Sequence, residues 1–197
     1  MFDFIININF PLLLYNAKEN QLLLRFCTQN FSCQLLHNLG MIKLEMTKLK
    51  SLIDQLEIQI PKLESINPSV SGSPVGWHIE HSLLTVDSII EALKKSDPAL
   101  YKRKFSFPKL LVFTMNKIPR GRGKAPTWVQ PKENFSVESL QAHAASTGQK
   151  LLDLEKLQPN NFIKHPVFGN LKLKPAVRFI AIHTQHHLNI VKDILKK

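Results

Sequence analysis

Two histidines lie one helical turn apart near the end of the chain, in the run AIHTQHHLNIV. His183 and His187 are spaced i, i+4, so a helix places both side chains on one face. Apolar residues continue the same stripe, namely Ile180, Val191 and Ile194, which predicts that this face is buried. A buried imidazole needs either hydrogen-bond partners or a metal ion, and the spacing alone leaves both interpretations open.

A second pair of histidines lies in the run GWHIEHSLL, which contains His78 and His81. A helical bundle can build a metal site in its core from side chains on facing helices. Three imidazoles suit Zn, Ni, Fe or Cu, and such a site leaves one coordination position open for water or substrate. Relative to Ile79, His78 lies about 100° around the helix and His81 about 160°, so helical geometry does not choose between them.

Two further residues near these histidines could take part in chemistry. Glu80 is a candidate catalytic residue because it could orient or deprotonate a group bound to the metal. The competing interpretation of Glu80 is a solvated helix residue. His165, in the run KHPVFG, could lie at the mouth of the same site or be a loop histidine whose hydrogen bonds are satisfied.

The segment from residue 101 to residue 124 carries eight basic residues and no acidic one. These basic side chains could meet an anionic substrate, the phosphates of a nucleic acid, or only solvent. Trp128 and Phe105 could stack on bases in the second case. Four members of the segment are candidate anion-binding residues: Lys117, Arg120, Arg122 and Lys124. The net charge of the chain, +11, is compatible with an anionic partner but does not identify one.

The elements that must position these residues are predicted to be helices. Apolar residues recur at helical spacing in four segments, with Pro61 kinking the first or starting a new turn, and Ser73 capping the second. The four segments cover residues 43–66, 74–95, 136–156 and 175–197. The sequence therefore predicts an all-α fold: an antiparallel four-helix bundle with a long basic loop, a short extra helix and no strand.

The first 40 residues differ from the remainder of the chain. Residues 1–40 have balanced charges and no sustained helical period, whereas residues 41–197 carry the whole net charge. We predict that 1–40 are a leader outside the core domain, as an upstream start codon would produce, and that 41–197 are the domain. An extra helix packed on the core is the alternative. Cys27 and Cys33 form no CxxC pair and no apolar run reaches about 18 residues, so we expect a cytoplasmic protein with no membrane partner.

The runs GWHIEHSLL and FIAIHTQHHLNIVKDI resemble the second and last helices of the DinB/YfiT-like superfamily of four-helix proteins. The loops PRGRGKAP and HPVFGNLKL look like those of one subgroup, and the resemblance covers about residues 43–197. It implies that one histidine of the second helix and an H-x-x-x-H pair of the last helix hold a divalent metal. The pair corresponds to His183 and His187, and the second-helix ligand corresponds best to His81, with His78 as the runner-up.

The same resemblance implies a function. Several members of the superfamily look like thiol-dependent transferases or isomerases. For this chain it implies a divalent metal (Zn, Ni or Fe), a small-thiol cosubstrate and a small anionic substrate, and hence a metal-dependent transferase-type enzyme or a hydrolase. The alternative is a non-catalytic, metal-stabilised binding module whose 101–124 segment contacts nucleic acid or another anionic partner. The sequence also leaves open a homodimer, in which the partner is a second copy of the chain.

Overall fold

Helices dominate the described part of the chain. The computed structural model describes residues 32–121, 125–132 and 135–196. The α-helices are α1 (Ser32–Glu57), α2 (Val75–Lys95), α3 (Phe107–Met115), α4 (Val137–Lys150) and α5 (Leu173–Ile194). Short 3₁₀ turns cover Ile60–Lys62, Pro98–Leu100, Thr127–Val129 and Leu151–Lys156. The prediction of a mainly helical protein is therefore confirmed at this level.

Prolines set the boundaries of the first two helices. α1 ends at Glu57 and Pro61 lies in a separate 3₁₀ turn, so the new turn expected as one alternative at Pro61 is observed and the other alternative, a kinked helix continuing to residue 66, is wrong. The cause is that proline has no N–H and its ring clashes with the preceding turn. Pro74 occupies the cap position of α2 without any side-chain hydrogen bond, so the predicted cap at Ser73 is also wrong. α5 begins at Leu173, two residues before the predicted start of this helix, and contains Pro175 in its first turn.

The predicted short extra helix is α3. The Ser106 hydroxyl caps its start by accepting a hydrogen bond from the Lys109 N–H at 3.3 Å. Asn116 ends it in the left-handed conformation, with φ 51°, which asparagine tolerates better than most residues. The long basic loop that follows α3 contains one 3₁₀ turn, Thr127–Val129.

A small antiparallel hairpin precedes α5, so the expectation of no strand is wrong. β1 (Phe162–His165) pairs with β2 (Gly169–Lys172), and Ile163 lies opposite Leu171 with both side chains buried. Gly169 has φ +69°, a conformation that glycine adopts without steric cost. Four residues per strand are too few for an alternating pattern to stand out in the sequence, and this is why the hairpin was missed.

The hydrophobic core is built around α2, which packs against both α4 and α5. α1 adds a buried stripe at helical spacing, formed by Leu49, Ile53 and Leu56. The stripe predicted for α5 is buried as expected at its apolar positions, Ile180, Val191 and Ile194. Burying such side chains contributes roughly 1.5–3 kcal/mol each, which fixes the faces that α2 and α5 present to each other.

The leader prediction falls largely outside the described residues. Residues Asn38–Lys197 form one compact unit, and α1 begins at Ser32, before the predicted boundary between residues 40 and 41. The remainder of the leader, including Cys27, lies outside the described residues, so its proposed separation from the domain stays a prediction. Among the helices that the structure describes, none combines the length and the apolar character needed to cross a bilayer.

Candidate metal centre

Three histidines from two packed helices converge at one point of the core. His81 comes from α2, and His183 and His187 come from adjacent turns of α5. One ring nitrogen of each lies within 4.8 Å of the others. Ligand nitrogens around a tetrahedral zinc ion are about 3.4 Å apart, given bonds of about 2.05 Å, so small side-chain rotations would close the three rings on an ion. The arrangement is therefore one that could hold a metal.

Neighbouring groups fix the orientation of His81. Its Nδ1 lies 2.7 Å from the carbonyl oxygen of Val129. A carbonyl can only accept, so Nδ1 carries the proton and donates, which leaves the Nε2 lone pair free for a ligand bond. The Trp77 ring stacks on the imidazole, with centroids 4.9 Å apart and planes 17° from parallel. Both contacts hold the ring in one rotamer before any metal arrives.

His187 is supported from behind by His78, the runner-up ligand. The two Nδ1 atoms are 3.0 Å apart, and His78 Nε2 is 2.9 Å from the Ser71 hydroxyl oxygen. In the proton arrangement that frees His187 Nε2, His187 Nδ1–H donates to His78 and His78 Nε2–H donates to Ser71. Both ring nitrogens of His78 are thus engaged elsewhere, and His78 is not a member of the converging group.

His183 has the least satisfied environment of the three rings. Its side chain is half-buried, and its Nδ1 is shielded from solvent without a hydrogen-bond partner among the described residues. A polar atom left in that state costs free energy relative to its hydrated form. Coordination through Nδ1 would offset this cost, so the orphaned nitrogen fits a metal-binding role.

Burial keeps these imidazoles neutral. It is the main cause that lowers the pKa of His81, and it lowers the pKa of His183 and His187 well below the usual value. The neighbouring imidazoles lower the pKa of His183 and His187 further, because positive charges this close repel. A neutral imidazole has a lone pair to donate, so the site is ready for a metal at neutral pH without first losing protons.

A cavity of about 730 Å³ opens beside the three histidines. Its walls come from α2, α5, the hairpin and the loop that contains the Thr127–Val129 turn. Large apolar side chains contribute much of the lining, among them Ile89, Trp128, Phe168, Phe179 and Ile190. This volume is in the range of small-molecule sites, and the three imidazoles supply the polar end of an otherwise largely apolar chamber.

His165 lies in the wall of this cavity with a fixed tautomer. Its Nδ1 accepts hydrogen bonds from the backbone N–H groups of Val167 and Phe168, at 3.2 and 3.1 Å. Nε2 therefore carries the proton in the neutral ring. Burial lowers the pKa of His165 to about 4, and its ring stacks on Phe168 with centroids 4.3 Å apart. His165 is consequently a rigid, neutral hydrogen-bond donor.

The structure describes two of the four candidate anion-binding residues, Lys117 and Arg120. Arg120 lines the cavity, but its Nη2 is 2.7 Å from Oδ2 of Asp193, so part of its charge is neutralised. Lys117 is exposed and does not line the cavity. Arg122 and Lys124 lie outside the described residues. The structure thus brings one of the four to the histidine site.

Glu80 points away from the converging histidines. Its Oε2 lies 2.8 Å from Nδ1 of His143 on α4, and it does not line the cavity. His143 also lies 3.4 Å from Asp87, which in turn contacts Thr147 and Lys150. Sequence reasoning missed this network, although His143 shares the stripe of α4 with buried Leu140 and Thr147 and could have been noticed there.

Comparison with known proteins adds no functional assignment. No family model, curated protein or solved structure matches this chain. The case for a metal centre therefore depends on the geometry of its own residues.

Proposed function

We propose that this protein binds one divalent metal ion through His81, His183 and His187, with a coordination position open to the cavity. The observation that carries the proposal is the convergence of three neutral imidazoles, with ring nitrogens within 4.8 Å, at the edge of a 730 Å³ chamber. Structural zinc sites are closed by four protein ligands, whereas three protein ligands and an adjoining cavity are typical of catalytic sites.

We further propose that the long helices form a DinB/YfiT-like antiparallel four-helix bundle and that the chain is a transferase-type enzyme using a small thiol. A divalent metal with an open position lowers the pKa of a coordinated water or thiol and so supplies a nucleophile near neutral pH. His165 would donate a hydrogen bond to an oxygen of the second substrate, and Arg120 would attract an anionic group to the cavity. The apolar lining excludes water from the remainder of the chamber.

The competing proposal is a metal-stabilised module that uses its basic segment to contact nucleic acid. It is supported by the exposure of two aromatic side chains near that segment, Phe105 at 80% and Trp128 at 68%. Base stacking on such side chains contributes about 1–3 kcal/mol each. The salt dependence of oligonucleotide binding separates the two proposals. If the basic segment contacts phosphates, the affinity for an oligonucleotide should fall steeply between low and moderate salt.

Metal content tests the central proposal. Purified protein should carry one equivalent of a divalent metal by elemental analysis, and His81→Ala, His183→Ala and His187→Ala should each lose it. His186→Ala is the matched control, since His186 borders the same cavity but is outside the converging group and should leave the metal in place. Circular dichroism of each variant separates loss of the ligand from loss of the fold. Full metal retention in a folded His183→Ala variant would contradict the proposal.

An open coordination position has its own test. The Co²⁺-substituted protein should show the absorption bands of a four-coordinate ion, and dithiothreitol should add a sulfur-to-cobalt charge-transfer band. A site closed by four protein ligands would leave the spectrum unchanged on adding thiol, and that result would contradict the transferase proposal while leaving metal binding intact.

A further inference from the structure

The short helix α3 presents an apolar face to solvent. Phe107, Leu110, Leu111 and Met115 follow helical spacing and are 64, 54, 43 and 57% exposed. The opposite face holds Val112, which is 6% exposed and belongs to the core. Helices at the surface of globular proteins normally expose a polar face, whereas α3 is apolar on both its core-facing and its outer side, and the exposed apolar side indicates an interaction surface.

Basic side chains flank this apolar face. Lys102, Arg103 and Lys104 are exposed directly before α3, and Lys117 is exposed directly after it. Phe105 lies among them and is 80% exposed, more than any other large hydrophobic residue that the structure describes. No acidic residue occurs between positions 98 and 132 of the sequence. We call this combination of apolar helix face and basic flanks the α3 surface.

The α3 surface is held ready for a partner. The guanidinium of Arg178 on α5 donates to the carbonyl oxygen of Phe113 at 2.6 Å and lies 5.4 Å from the centre of its ring. The Ser106 hydroxyl donates to the carbonyl oxygen of Val167 at 3.0 Å while capping the helix. These contacts fix the orientation of α3 on the hairpin and α5, so docking would not have to fold the helix first.

The chemistry of the surface selects among possible occupants. Phe105 and Phe107 could stack on nucleobases, but the other apolar side chains of the surface, Leu110, Leu111 and Met115, have no flat ring and would stay exposed beside a single-stranded nucleic acid. Two copies meeting through the α3 surface would bring the same basic flanks together, which disfavours a homodimer at this face. Apolar side chains inside a basic border suit an interface between acyl chains and anionic headgroups.

We propose that the α3 surface docks this protein on anionic membranes, with the apolar side chains of α3 entering the acyl boundary and the flanking lysines and Arg103 contacting lipid headgroups. This inference replaces the sequence-based expectation of no membrane partner. It requires no transmembrane helix, because an amphipathic helix lies in the plane of the interface. It is also independent of the proposed metal centre, whose histidines lie on α2 and α5.

Vesicle flotation of the full chain tests the proposal. The protein should float with vesicles of phosphatidylcholine and phosphatidylserine, and it should float poorly with phosphatidylcholine alone or at high salt. Replacing Leu110 and Leu111 together by Gln should lower the fraction bound at least about tenfold, since each leucine side chain contributes several buried CH₂ groups. The variant Lys102/Arg103/Lys104→Gln should lower it by a similar factor or more.

Matched controls make these losses interpretable. Leu44→Gln and Leu152→Gln alter leucines that are 64 and 55% exposed elsewhere, and Lys48/Lys62/Lys95→Gln removes three exposed charges elsewhere. These controls should float as the wild type does. Equal flotation of the wild type and both α3-surface variants would overturn the proposal. Two other results would overturn it if the wild type does not float. One is a dimer that dissociates in the Leu110/Leu111→Gln variant, and the other is oligonucleotide binding that the same change abolishes.

Discussion

The protonation of two histidines of the candidate metal centre depends on their neighbours. The Val129 carbonyl forces the proton of His81 onto Nδ1, and the ring of His187 shares a hydrogen bond with His78. These outer contacts determine which nitrogen is available to a metal and hold the ring at the required angle. The affinity of the site should therefore depend on groups that never touch the ion.

Replacing His78 tests this dependence. In His78→Ala, His187 loses the partner of its Nδ1, so its ring is free to rotate and its Nδ1 is left unpaired. We expect metal to bind stoichiometrically but about 10–100-fold more weakly, which is the usual cost of removing such a support. Competition with a chelator measures the affinity. Complete loss of metal from a folded His78→Ala variant would instead make His78 a ligand.

The sequence identified part of this site in advance. The i, i+4 spacing on an apolar stripe was enough to place His183 and His187 together, because both depend only on local helix geometry. The choice between His78 and His81 could not be made that way. It depends on contacts far along the chain, such as that between His81 and Val129, which no helical pattern encodes.

At the level of elements, α4 is tied to α2 by a polar network rather than by the metal centre. His143 hydrogen-bonds Glu80 and Asp87, and these contacts, with Asp87 the larger, raise the pKa of His143 to about 9. Burial acts to raise the pKa of Asp87, but hydrogen bonds from His143, Lys150 and Thr147 lower it overall. The network therefore links the two helices, and the ion pairs that His143 adds to it form only when His143 is protonated.

This network predicts a loss of stability at alkaline pH. The pKa of His143 in the folded protein lies above its usual value of 6.5. The stabilisation that its ion pairs provide is therefore fully present below about pH 6.5 and is lost as the pH rises to about 9. We expect the free energy of unfolding to fall by roughly 2 kcal/mol over this window, less than full linkage because the pair is partly solvated. Urea titrations measure it. His143→Gln should be less stable at pH 6.5 and should lack this slope; an equal slope in both proteins would contradict the assignment.

The elements themselves were predictable to different degrees. α2 and α5 were found within a few residues, because long amphipathic periods and prolines near their starts are local signals. The hairpin was missed because its strands gain their stability from pairing with each other and packing on α2 and α5. The outward apolar face of α3 was not foreseen either, since a periodic pattern does not say which side meets the core.

Considered as a whole, the molecule concentrates its neutral histidines in one region. His78 and His165 each have a pKa of about 4 because of burial, and His183 and His187 have values well below normal. All of them line the cavity between α2, α5 and the hairpin. In acid, each of these histidines either stays neutral, at a pH where a free imidazole would be protonated, or carries a positive charge within this low-dielectric region.

The metal-free protein should therefore be labile in acid. Each of these histidines is protonated more readily in the unfolded chain than in the folded one, so their contribution is present above about pH 6.5 and is lost as the pH falls towards 4. We expect His78 and His165 each to account for about 2 kcal/mol of the loss. His165→Asn keeps an acceptor for the two backbone N–H groups but cannot titrate, and its urea midpoints should fall less between pH 6.5 and 4 than those of the wild type. Parallel pH profiles for the wild type and His165→Asn would refute the assignment of His165.

Added Zn²⁺ should raise the free energy of unfolding most near neutral pH and progressively less in acid, because protons compete for the ligand nitrogens. Urea titrations with and without Zn²⁺ measure the difference. Stabilisation by Zn²⁺ that persists unchanged at pH 4 would refute histidine coordination.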